Sequence, residues 1–155
     1  MAGEVSEYLS GEQSEFLGVQ TEADKFVKGH VGAYDQEELE RWTSKYRSLS
    51  SKEQQKEIQV VRERLEKSVD RGNYGEMGLE FAMLVEGGQG FDIPTKLSYV
   101  NRVLSRNIYN FYQQNSQRRS QEPYSENFHR RLLNDLGELQ RGLDLANKLH
   151  VLTPK

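Results

Sequence analysis

The sequence contains no cysteine among its 155 residues. This absence excludes disulfide bonds, thiolate metal ligands and a cysteine nucleophile. Only three prolines are present, and there are no long runs of β-branched residues, so an all-β fold is not favoured. At this length we expect one domain that buries a hydrophobic core.

Long apolar stretches are also missing, and none approaches the roughly 18 residues that cross a membrane. The first 20 residues lack the basic start and apolar middle of a signal peptide. We therefore expect a cytoplasmic protein without contact to a membrane.

Motifs that define a reaction are absent as well. The three histidines, His30, His129 and His150, lie on different predicted elements without a nucleophile signature beside them. Glu126 and His129 have the i,i+3 spacing found in di-iron bundles, but a site needs a second such pair, which the sequence lacks. The glycine-rich stretch 87–90 lacks the lysine and hydroxyl residue of a P-loop. We predict no catalytic residue, metal site, cofactor or small-molecule substrate, and hence no enzyme.

Helical periodicity is the strongest signal that is present. Four segments place apolar residues three or four apart, which forms one face of an α-helix. These faces are Leu39, Trp42, Tyr46 and Leu49; Ile58, Val61, Leu65 and Val69; Leu97, Val100, Leu104, Ile108 and Phe111; and Phe128, Leu132, Leu136, Leu139, Leu143 and Ala146. Residues 74–86 are apolar all round, which predicts a buried helix, and a short helix is predicted over 22–31. The expected fold is all-α, a compact bundle of five to six helices over residues 21–155.

Capping residues mark where these helices begin and end. Asp35, Ser51 and Ser125 are predicted N-caps, because their side chains can accept hydrogen bonds from free backbone amides. The Asp92–Pro94 stretch predicts another helix start, and Gly72 predicts a helix end.

Charge is distributed unevenly along the chain. Residues 1–40 contain ten acidic and two basic residues, for a net charge of −8, whereas residues 94–155 contain five acidic and ten basic residues, for +5. Such polarity can attract a partner, or bring the two ends of the chain together.

The acidic start of the chain contains a near-repeat. Ser-Glu-Tyr-Leu ends with Tyr8 and Leu9, and Ser-Glu-Phe-Leu ends with Phe16 and Leu17 eight residues later. We interpret residues 1–20 as a separate acidic arm, either mobile or a frayed helix, whose two apolar pairs bind a surface ringed by basic residues. The arm could contact its own chain, another copy or another protein, although chance in a Ser/Glu/Gly-rich segment would produce the same pattern.

A basic and aromatic surface is predicted on the last two helices. Arginine can bind phosphate and tyrosine can stack on unpaired bases, while ordinary solvated helix faces would explain the same residues. The candidates are Tyr99, Arg102, Arg106, Tyr109, Arg118, Arg119, Arg130, Arg141 and Lys148.

Two functions follow from these patterns. The first is a non-enzymatic protein-interaction or assembly subunit that acts through the acidic arm and the basic C-terminal helices, with another protein or another copy as partner. The alternative is an accessory subunit that binds RNA or single-stranded DNA, although nucleic-acid-binding domains usually have a larger basic excess.

Overall fold

Six α-helices make up the described part of the chain. The computed structural model describes the backbone of residues 2–118 and 126–152, and the side chains of residues 14–114 and 126–152. Within these ranges there is no strand, and the helices are α1 (Ala2–His30), α2 (Gln36–Ser48), α3 (Ser51–Arg71), α4 (Met77–Glu86), α5 (Ile93–Arg118) and α6 (Glu126–Leu152). The all-α prediction is confirmed for these residues.

The helices pack around α5, which contacts α1, α3 and α6. Helices α1 and α6 also contact each other, and α4 packs on α3, with α2 beside α4. Apolar side chains from α3, α4, α5 and α6 are fully or almost fully buried between them: Val61, Leu65, Met77, Leu84, Leu97, Val100, Val103, Leu104 and Leu149. One continuous core therefore holds the bundle together.

Local capping chemistry explains the start of α2 and both ends of α3. The Asp35 side chain accepts from the Glu37 amide at 2.9 Å, as expected for an N-cap. The cap of α3 is Ser50, one residue before the predicted Ser51; its hydroxyl oxygen accepts from the Glu53 amide at 3.3 Å, and its O–H donates to the Glu53 carboxylate at 3.1 Å. The helix ends at Gly72, whose φ of 67° is left-handed. The predicted cap Ser125 lies outside the described residues.

Helix α1 begins well before the helix predicted over 22–31. Phe16 and Val19 pack against the core, and Ala23 and Phe26 are buried in it, so one apolar face continues at spacings of three and four. Gly18 is exposed and lies outside this face, because a Cβ added to it would have no other atom within 4 Å. Whether residues 1–20 act as a separate arm stays a prediction, since the side chains of residues 1–13 lie outside the described part.

The predicted inner face of α6 is wrong at two positions. Leu136 and Leu143 are 38% and 50% exposed, while Leu132, Leu145 and Leu149 are buried. Helix α6 has leucines on two faces, so periodicity alone does not select the inner one. Gly142 determines the inner face, because a Cβ added at this residue would collide with the Asn101 side chain and come within 3.0 Å of Phe26.

Trp42 is only half-buried, because α2 lies at the edge of the bundle. Its ring stacks on Tyr46 with 5.0 Å between centroids. The indole N–H donates to Glu57 on α3 at 2.9 Å, which satisfies the polar edge of the ring. Trp42, which the sequence places on the apolar face of α2, therefore occupies a packed position at the surface.

Candidate functional site: the outer surfaces of α5 and α6

The first part of the predicted basic surface, Tyr99 and Arg102, is hydrogen-bonded to α3. The Tyr99 hydroxyl donates to the Glu66 carboxylate at 3.1 Å, and Arg102 donates to both oxygens of the same carboxylate at 3.2 and 2.7 Å. The Arg102 hydrogen bond lowers the pKa of Glu66. Arg102 and Tyr99 therefore contribute to the contact between α3 and α5, and the charge of Arg102 is neutralised within the chain.

The second part of this surface, Arg106 and Tyr109, contacts the end of α3 through Arg106. The Arg106 Nε–H donates at 2.9 Å to the backbone carbonyl of Asp70, in the last turn of α3, where a cation is favourable. Its guanidinium lies 5.3 Å from the centre of the Tyr109 ring. Gln113 donates to the Tyr109 hydroxyl, but the ring itself remains 51% exposed.

The basic residues of α6 have different surroundings. Lys148 pairs with Asp144 at 3.2 Å, and Arg141 lies 5.7 Å from the centre of the Phe26 ring. Arg130 and Arg141 are exposed and form no ion pair with any described residue. The side chain of Arg118 and the whole of Arg119 lie outside the described residues, so their predicted role is not placed.

A groove runs along α5 between the end of α3 and α6. We call it the α5–α6 groove; its volume is about 600 Å³, and its lining consists of Val69, Asp70, Pro94, Ser98, Asn101, Arg102, Ser105, Arg106, Tyr109, Leu143 and Ala146. Tyr109 and Leu143 supply half-exposed apolar surface, and Arg106 supplies positive charge, whereas Arg102 is paired with Glu66. The sequence prediction found the arginines and Tyr109 but assigned Leu143 to the core.

A second concavity, which we call the polar cleft, lies where α5 and α6 extend past the end of α3. Its volume is about 820 Å³, and it is lined by Gly72, Tyr74, Asn107, Asn110, Phe111, Gln114, Arg130, Arg131, Asn134 and Asp135. Gly72 is needed at its edge, because a side chain there would collide with Asn107. Sequence analysis missed the cleft, although the spacing of Asn107, Asn110 and Gln114 places all three amides on one helix face.

Titratable side chains lie next to the polar cleft. His30 Nε2 is 3.2 Å from Glu138 Oε2, and the other ring nitrogen is 2.7 Å from the Phe26 carbonyl oxygen, so His30 links α1 to α6. Burial raises the pKa of Asp135, while Arg131 and His30 oppose this shift. Burial also raises the pKa of Tyr74, whose hydroxyl has no hydrogen-bond partner among the described residues. Tyr74 is therefore expected to stay protonated.

The two apolar pairs of the acidic segment differ in what the structure shows. Phe16 is half-buried against the core of its own chain, whereas Leu17 is 57% exposed. The side chains of Tyr8 and Leu9 lie outside the described residues, so their role as a docking pair stays a prediction.

Neither a metal site nor a related protein indicates what these surfaces bind. In the described ranges, no group of three or more His, Asp and Glu side chains could hold a metal ion, and no helix is long and apolar enough to cross a membrane. No family model matches the chain, and neither does any curated protein or solved structure. The function is therefore argued from the geometry of the two surfaces.

Proposed function

We propose that this protein is a non-enzymatic assembly subunit whose α5–α6 groove binds the acidic N-terminal segment of a second copy. The observation that carries the proposal is the pairing of half-exposed Tyr109 and Leu143 with the Arg106 guanidinium in one groove. Residues 1–20 complement this groove, because they contain four acidic and no basic residues, together with two aromatic-leucine pairs. Charge complementarity of this kind steers association and selects partners.

Tyr8 and Leu9 are the pair that we assign to the groove. Phe16 packs against its own core, and withdrawing it would expose apolar surface at a free-energy cost. Tyr8 and Leu9 lie upstream of the first core contact that the structure describes. Their aromatic and aliphatic side chains suit the apolar surface of Tyr109 and Leu143, and the neighbouring glutamates suit the Arg106 guanidinium.

The register of α1 favours binding between copies. His30 lies opposite Glu138 and Phe26 lies opposite Gly142, so α1 and α6 are antiparallel. A helix rises about 1.5 Å per residue. Along a continuous α1, Leu9 is therefore about 25 Å from the level of Phe26, Gly142 and the groove residue Asn101. Leu9 is then far from Leu143, which follows Gly142, in the groove of its own chain, and this separation favours the groove of a second copy.

Light scattering on the full chain and three variants tests the assignment. A truncation starting at Ser14 removes Tyr8 and Leu9 but keeps Phe16 and Val19, so the fold should be retained. This truncation and Leu143→Ser should both lower the measured mass towards that of a monomer. Val60→Ser is the matched control, since Val60 is 47% exposed on α3, away from the groove, and it should leave the mass unchanged. A full chain that is monomeric at all concentrations, or a truncation without effect, would contradict the proposal.

Binding of RNA or single-stranded DNA is the second candidate. The observation that favours it is the exposed ring of Tyr109 beside the Arg106 guanidinium, an arrangement that can stack an unpaired base next to a phosphate contact. The neutralisation of Arg102 by Glu66 weakens this alternative. Retention of oligo(U) or oligo(dT) at about 50 mM salt, lost in Arg106→Glu, would support it. Absence of retention in the unmodified protein would remove it.

A further inference from the structure

The polar cleft is not used by the assembly proposal, and its α5 wall is a row of amides. Asn107, Asn110 and Gln114 line this wall at positions i, i+3 and i+7, which span about 10 Å along the helix axis. Each amide side chain carries both a hydrogen-bond donor and an acceptor. An extended peptide backbone also offers donors and acceptors, at about 3.3 Å per residue. The row therefore matches about three residues of an extended peptide.

The α6 wall of the cleft supplies a site for a carboxylate. Arg130 is exposed there and forms no ion pair with any described residue. A guanidinium can bind a carboxylate through two parallel hydrogen bonds. Asn134 adds another exposed amide to the same wall, so an acidic side chain and a neighbouring peptide group can be bound together.

The aromatic ring in the cleft does not favour a nucleobase. The Phe111 ring meets the edge of Phe128 at 5.2 Å between centroids, and the Arg131 guanidinium lies 5.3 Å from its centre. The Phe111 ring is therefore already packed against these neighbours. Stacking of a nucleobase requires an open aromatic face. The amides and Arg130 are therefore the groups that we assign to the ligand, since the carboxyl group of Asp135 in the same lining is half-buried and interacts electrostatically with Arg131 and His30.

We infer that the polar cleft binds an extended acidic peptide segment of a protein partner, with the backbone on the α5 amides and a carboxylate on Arg130. This site is separate from the α5–α6 groove, which we assign to the N-terminal segment of a second copy, with its Tyr8 and Leu9 side chains and its glutamates. The inference therefore does not depend on the assembly proposal.

Fluorescence anisotropy with a labelled peptide of alternating serine and glutamate tests the inference, because this probe lacks the apolar residues that suit the groove. Arg130→Gln and Asn110→Ala should each weaken binding by about tenfold, as expected for the loss of one charge-assisted or bidentate contact. Arg141→Gln and Asn147→Ala are matched controls, since both residues are exposed on α6 outside the cleft, and they should bind as the unmodified protein does. A thermal melt of each variant confirms that it is folded.

Three results would overturn the inference. The first is no binding at millimolar peptide, and the second is equal loss in the control variants, which would indicate unspecific attraction to positive charge. The third is displacement of the peptide by oligo(U) or inorganic phosphate at lower concentration than by unlabelled peptide. The cleft variants should leave the mass in light scattering unchanged, so failure here is distinguishable from failure of the assembly proposal.

Discussion

Glu80 is a fully buried carboxyl group in α4, the most apolar helix of the bundle. Arg64 on α3 is its nearest cation, with 3.2 Å between the guanidinium and Oε1, but neither carboxyl oxygen has a hydrogen bond with good geometry among the described residues. Burial raises the pKa of Glu80 to about 7, and Arg64 opposes this shift. The desolvation of the carboxylate therefore outweighs the attraction of a single, partly exposed arginine.

The raised pKa predicts a specific pH dependence of the free energy of unfolding. The native state binds the Glu80 proton more tightly than the unfolded state does, so stability should fall as the pH rises from the ordinary value of 4.5 to about 7. The full loss would be about 3 kcal/mol. Glu80→Gln should remove this slope and be at least as stable as the unmodified protein at pH 8, measured by urea unfolding.

Glu63→Gln serves as the control for this prediction, since Glu63 is an exposed carboxylate on α3. It should leave the pH profile of unfolding nearly unchanged. A Glu80→Gln variant that is less stable than the unmodified protein at pH 8 would show that the ion pair with Arg64 outweighs the cost of burial.

At the scale of an element, a glycine rather than the leucines determines which face of α6 is turned towards the core. Gly142 lies against Asn101 on α5 and Phe26 on α1, so three helices approach one another at this residue. The alternative leucine face, with Leu136 and Leu143, is left at the surface. The close approach of the Asn101 and Phe26 side chains to the backbone of Gly142 thus determined which of the two apolar stripes became the inner face.

This packing predicts opposite effects for the two glycines of α6. Glycine to alanine in an exposed helix interior usually stabilises by up to about 1 kcal/mol, and Gly137→Ala should do so, because nothing lies within 4 Å of its added Cβ. Gly142→Ala should instead destabilise by about 1–3 kcal/mol, because its Cβ would collide with Asn101. Thermal unfolding followed by circular dichroism measures both changes. If Gly142→Ala were as stable as Gly137→Ala, the assigned helix register would be wrong.

Features that depend on contacts between residues near in sequence were predicted, whereas features that depend on contacts between residues distant in sequence were not. Asp35 and Gly72 were predicted as helix ends because their capping interactions involve only nearby residues. The inner face of α6 could not be predicted, because it depends on Asn101 and Phe26, which are distant in sequence. The polar cleft was missed for the same reason, since it exists only because α3 stops at Gly72 while α5 and α6 continue.

At the scale of the whole molecule, apolar packing and charge contribute unequally to the stability of the fold. The core is built almost entirely from apolar side chains, and the ion pairs lie mainly at the surface, between helices or within one helix. Exposed ion pairs contribute about 0–1 kcal/mol each to stability. The contrast between −8 in residues 1–40 and +5 in residues 94–155 is thus better suited to recognition between molecules than to holding the fold.

Salt should therefore weaken association while leaving the fold almost unchanged. Raising sodium chloride from about 0.1 M to about 1 M shortens the Debye length from about 10 Å to about 3 Å. Attraction between the acidic segment of one copy and Arg106 of another would then be screened, and the dissociation constant should rise by about tenfold or more. The melting temperature of the monomeric truncation that starts at Ser14 should change little over the same range. Sedimentation velocity measures the association and circular dichroism measures the melting. If association became tighter at 1 M salt, the contact would be dominated by Tyr109 and Leu143 rather than by charge.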